Sequence, residues 1–75
     1  MLKTLFILLF ITDLSNEPLP GVKVELVGIN KVYYTNVRGQ VIVPSNFDLK
    51  LDYISYKTKT INKDSVKQHI TLISR

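Results

Sequence analysis

The sequence has no cysteine, a single histidine, and only three glycines and three prolines in 75 residues. Without cysteine there is no disulfide framework and no thiolate metal site, although the redox compartment stays open. With one histidine, a zinc site would rest mainly on carboxylates, and no stretch has the spacing of a peptidase zinc motif. The glycines stand alone at Gly21, Gly28 and Gly39, so no glycine-rich phosphate loop is present. None of Ser15, Ser45, Ser55, Ser65 and Ser74 lies in a Gly-x-Ser-x-Gly context. The expectation is a protein that is not an enzyme and holds no cofactor and no metal. Long apolar runs are also missing. The longest, Leu5 to Ile11, falls far short of the ~20 residues a membrane-spanning helix needs. No helical period is found anywhere.

What is present suits one small domain over residues 1–75. A chain of this size buries only about 60% of the surface it exposes when unfolded. Its apolar fraction of 45% is ordinary for a globular chain and too high for disorder. The net charge of +4 is unevenly placed. Residues 1–49 are neutral, with Lys3, Lys23, Lys31 and Arg38 against Asp13, Glu17, Glu25 and Asp48. The excess lies in residues 50–75, where Lys50, Lys57, Lys59, Lys63, Lys67 and Arg75 face only Asp52 and Asp64.

The patterning is that of short strands separated by turns. Residues 4–12 form a first strand of Leu, Ile and Phe. Asp13 to Gly21 crowds Asp, Ser, Asn and Pro into a turn, and Pro18 and Pro20 exclude a helix interior or a central strand there. Val22-Lys23-Val24-Glu25-Leu26 then alternates with its apolar side inward. Lys31 to Thr35 is β-branched and aromatic. Asn36 to Gly39 forms a hairpin-like turn, and Gln40 to Val43 a strand stopped by Pro44. Phe47, Leu49, Leu51 and Tyr53 alternate with Asp48, Lys50 and Asp52. Lys57 to Ile61 follows a bend at Ser55, Asn62 to Lys67 is a polar loop, and His69 to Ile73 closes the domain. Val22, Val24, Leu26, Leu49, Leu51, Ile70 and Leu72 are the expected core. Seven strands with short connections predict an all-β fold, a small seven-stranded Greek-key β-sandwich.

Three segments carry a family resemblance. Asp13-Leu14-Ser15-Asn16-Glu17-Pro18-Leu19-Pro20-Gly21-Val22-Lys23-Val24 resembles the signature of carboxypeptidase regulatory-like domains, which are small transthyretin-like sandwiches. Thr35-Asn36-Val37-Arg38-Gly39 is similar to that family's Thr-Asp-x-x-Gly turn, with Asn for Asp. Tyr53-Ile54-Ser55-Tyr56-Lys57-Thr58 is similar to its Tyr-x-Gly-Tyr-Lys-Thr stretch, with Ser for Gly. The order is right, and the likeness runs from about Ile7 to Leu72. It implies a transthyretin-like/Ig-like sandwich used as an add-on module, without the catalytic domain. It points to the cell envelope, where such domains precede outer-membrane TonB-dependent transporters. Met1 to Ile11 also has the form of a secretory signal start, one Lys and then an apolar run. No small-x-small cleavage site follows, and in the family these positions hold a core strand. A retained strand is therefore expected, and a retained Met1 favours the cytoplasm or a particle over the envelope.

The first strand is where sequence and fold disagree, since both of its faces are apolar. The register that the resemblance implies places Ile7, Leu9 and Ile11 inward, so that Phe6, Leu8 and Phe10 point out. Either the chain's own loops cover that stripe, or it is a docking surface for another protein or for copies of itself. Other readings stay open. One is a structural accessory protein of a virion or other particle. Another is a carbohydrate-binding module presenting Tyr33, Tyr34, Tyr53 and Tyr56. Asp13, Glu17 and Asp48 have the oxygen chemistry of a calcium site, but turn capping explains them more simply. His69 is expected at an exposed or edge position. Nucleic-acid binding is disfavoured because alternation sends Lys57 and Lys59 outward and Thr58 and Thr60 the other way, the pattern of a solvated strand.

Overall fold

The computed structural model describes residues 5–75. Met1 to Thr4, the first part of the signal-like stretch Met1 to Ile11, lie outside the described residues, as does Thr4 as the start of the first strand. Seven strands form two sheets, an all-β sandwich. They are β1 Phe6–Thr12, β2 Lys23–Leu26, β3 Lys31–Tyr34, β4 Gln40–Pro44, β5 Leu49–Asp52, β6 Lys59–Ile61 and β7 His69–Thr71. One sheet has the order β4-β1-β7 and the other β3-β2-β5-β6. β1 runs antiparallel to β4 and parallel to β7, and every pairing in the second sheet is antiparallel.

The core follows from strand periodicity. Leu9 and Ile11 of β1 stand opposite Val41 of β4 and Ile70 of β7, and all four are buried. Val24 and Leu26 stand opposite Leu51 and Leu49 on the facing sheet, also buried. With Leu19, Val22, Val43 and Leu72 these make up the buried apolar cluster. All seven expected core residues belong to it. Phe47 and Tyr53 continue the β5 alternation as half-buried side chains packed on its rim.

Three details differ from expectation. Pro44 closes β4 from within, paired with Phe6, because β4 is an edge strand where a missing N–H donor costs no ladder bond. The polar loop after β6 contains a 3₁₀ turn, Lys63–Ser65, in which the Asn62 side chain accepts the Asp64 N–H. The orientation of Lys59 is also reversed. Lys59 stands opposite the buried Leu51, and Thr60 opposite Lys50, so Lys59 leaves the strand on the core side and Thr60 on the solvent side. A short edge strand can carry a lysine inward because its long stem escapes past the end of the core, as the exposure of Lys59 shows.

Side-chain oxygens shape the turns. Asp13 Oδ1 accepts the N–H groups of Ser15 and Glu17, and Asn36 Oδ1 those of Arg38 and Gln40. The buried Thr35 hydroxyl donates to the Leu19 carbonyl at 2.6 Å and accepts the Val22 N–H at 2.9 Å. Gly39 ends the second turn at φ +71°, and a methyl group there would sit 2.6 Å from the Ile11 carbonyl oxygen. Ser55 takes the left-handed conformation as well, at φ +68°.

Leu26→Ala should destabilise the domain by ~2–5 kcal/mol, since the side chain is fully buried. Urea unfolding measures this, and a loss below that range would show that the surrounding side chains collapse into the gap. Gly39→Ala should cost more than ~1 kcal/mol through backbone conformation and the Ile11 contact together. Ser55→Gly should raise stability by about 1 kcal/mol by relieving left-handed strain, read as a higher melting temperature.

Candidate functional site: the outer face of the three-stranded sheet

β1 lies at the centre of its sheet, and its register decides what shares its outer face. Phe6 stands opposite Pro44, Leu8 opposite Ile42, and Phe10 between Gln40 and His69. Thr12 follows beside Thr71. The face therefore grades from apolar at the Phe6 end to polar at the Thr12 end. At the polar end, Thr12 Oγ1 and His69 Nε2 lie 2.7 Å apart. His69 is exposed on this face, where β7 flanks β1.

The three residues expected to point outward are all on this face. Phe6 is 62% exposed and Phe10 37%, while Leu8 is half-buried between its neighbours. Ile42 joins them at 58% exposure, a residue that sequence reasoning missed. Val41-Ile42-Val43 is an unbroken apolar run, so alternation alone gives no direction there. The register with β1 turns Val41 and Val43 into the core and Ile42 out. Beside Ile42, on the flank where β3 and β4 meet, a cleft of about 340 Å³ is lined by Leu8, Tyr33, Tyr34, Gln40 and Ile42, among others. Of the four side chains Phe6, Leu8, Phe10 and Ile42, Phe6 and Ile42 are the most exposed.

The other candidate residues are dispersed. The four tyrosines fall into two pairs. Tyr33 and Tyr34 belong to edge strand β3, whereas Tyr53 and Tyr56 pack on each other with ring centroids 5.5 Å apart. Asp13 caps its own turn, and Asp48 Oδ1 accepts the Lys63 N–H. Among the described residues no three His, Asp or Glu side chains gather as metal ligands would. No helix among them is long and apolar enough to cross a membrane. Comparison with protein-family models, curated proteins and solved structures finds no match to this chain.

Proposed function

We propose that this chain is a non-enzymatic interaction module. It docks an apolar surface of a partner protein onto the outer face of its three-stranded sheet, through Phe6, Leu8, Phe10 and Ile42. The observation that carries this reading is a central strand with two exposed phenylalanines on its solvent side, joined by an exposed isoleucine from the neighbouring strand. An uncovered apolar stripe of this kind is a hazard to a free monomer and an asset to an assembled one.

Magnitudes indicate the kind of assembly. Covering four partly exposed side chains contributes roughly 4–8 kcal/mol, against an association cost of ~4–15 kcal/mol. The patch alone is too small to hold a tight dimer, because a standard interface buries ~800 Å² per partner. It suits an anchor within a larger or multivalent contact, as an add-on domain provides.

The resemblance to carboxypeptidase regulatory-like domains supports the same role and favours a cell-envelope assembly. Of its two substituted positions, the first has a local reason. Asn36, in place of Asp, caps the turn with its side-chain oxygen as a carboxylate would. Ser55, in place of Gly, occupies a left-handed position that glycine prefers.

The isolated protein should self-associate weakly at high concentration, since an exposed apolar sheet face is self-complementary about a two-fold axis. Sedimentation velocity should show this, and the triple variant Phe6→Lys, Leu8→Thr, Phe10→Lys should remain folded and monomeric. A wild-type protein that stays monomeric at millimolar concentration would count against the reading. So would a triple variant that unfolds, because those side chains would then belong to the core.

A further inference from the structure

The two sheets do not close on each other at every edge. At the C-terminal end they are joined, with the Lys57 N–H bonded to the Ile73 carbonyl at 2.8 Å and the Arg75 N–H to the Ser55 carbonyl at 3.0 Å. Continuing that pairing would place Lys59 opposite Thr71 and Ile61 opposite His69. The chain does not continue it, because β6 and β7 are edge strands of different sheets. Between them lies an open cleft of about 510 Å³, lined by Lys59, Asn62, Ser65, Lys67, His69 and Thr71, among others. Among the described residues no Asp or Glu lines it.

The backbone of β7 presents hydrogen-bonding groups to this cleft. The Gln68 carbonyl accepts the Phe10 N–H, and the Leu72 N–H donates to the Thr12 carbonyl, so residues 68 and 72 face β1. Backbone groups alternate sides along a strand, which turns those of His69 and Thr71 away from β1 and toward the opening. In agreement, the Thr71 carbonyl accepts a hydrogen bond from Lys59 Nζ at 3.1 Å. A lysine side chain thus stands where a strand's main chain would be.

We propose that the open edge of β7 is a docking site for an extended acidic peptide of a partner protein, which adds beside β7 as a fourth strand of that sheet. The inward lysine makes the edge selective. A neutral strand arriving at β7 must displace Lys59 from the Thr71 carbonyl and returns its ammonium to water with no charged partner in exchange. An acidic strand offers a carboxylate to the displaced Lys59 and another to Lys67, replacing one neutral acceptor with charged ones. The same residue therefore guards the edge against indiscriminate pairing and rewards the matching partner. This site is separate from the apolar face of β1 and stands whether or not that face binds anything.

The probes are a short acetylated peptide alternating Glu with Val, its Gln/Val analogue, and inorganic tripolyphosphate, each titrated into the full chain at low salt and followed by NMR. The acidic peptide should bind, slow hydrogen exchange at the His69 and Thr71 amides, and weaken as salt is added. The Gln/Val analogue should bind at least about tenfold more weakly. Lys59→Gln with Lys67→Gln should erase most of that difference while the amide spectrum of the core stays unchanged. Thr71→Pro removes an outward N–H that serves no internal bond and should abolish binding. If that variant fails to fold, the paired lysine substitutions carry the test alone. Equal binding of the two peptides, or no binding of either, would overturn the proposal. Tripolyphosphate binding to these lysines as tightly as the acidic peptide, with the peptide giving no protection at His69 and Thr71, would also overturn it, in favour of a small-anion cleft.

Discussion

Ile11 is the point on which the sandwich turns. Its side chain is fully buried opposite Ile70, its N–H donates to the Gly39 carbonyl, and its own carbonyl accepts the Leu19 N–H. One residue of the central strand therefore ties together β7, the turn before β4 and the segment leading to β2. Gly39 is required beside it because any larger residue would press on the same carbonyl. Thr35 extends this junction by bonding Leu19 and Val22 through a buried hydroxyl. A small sandwich without cysteine has few ways to hold its two sheets in register. Here the register depends on backbone and side-chain bonds concentrated at one end of β1, with the buried apolar cluster packed against them.

Both candidate interaction surfaces arise because the three-stranded sheet is incomplete. β1 is central, yet Phe6 and Phe10 on its outer face stay exposed. β7 is an edge, yet it does not pair with β6 across the opening. The two surfaces differ in chemistry for a structural reason. The outer face takes its character from the side chains of β1 and β4 and is apolar toward its Phe6 end. The open edge takes its character from the lysine-rich C-terminal third and is cationic. Their directions differ too, one perpendicular to the sheet and one in its plane.

The polar residues that first suggest chemistry are spent on geometry. Asp13, Asn36 and Asn62 each accept backbone N–H groups of the turn that they begin. Asp48 tethers the 3₁₀ turn to the start of β5 through the Lys63 N–H. Among the described residues no buried polar side-chain atom lacks a partner. The left-handed non-glycine positions, Asn16, Asn30, Asn46 and Ser55, all lie between strands.

Strand identity, the core and the turn positions were legible in the sequence because each depends on neighbours a few residues away. Period-two alternation marks Val22, Val24, Leu26, Leu49 and Leu51 as inward, and Asn36 to Gly39 announces its own turn. The outward direction of Phe6, Leu8 and Phe10 came instead from the register that the family resemblance implies, because both faces of β1 are apolar and alternation alone gives no direction there. Which strands lie side by side was not legible in local pattern, because pairing is settled between segments far apart in the chain. Only the antiparallel register of β1 with β4 brings Ile42 next to Leu8. Only the pairing of β5 with β6 reveals that Lys59 leaves from the core side, where local alternation assigned it to solvent. A shift of one residue reverses every side chain in a strand, and a three-residue strand carries too little pattern of its own to settle its parity. The sequence by itself determined an all-β chain with a stated core. The tertiary structure decided which apolar residues share a bare face and which lysine spans the opening between the sheets.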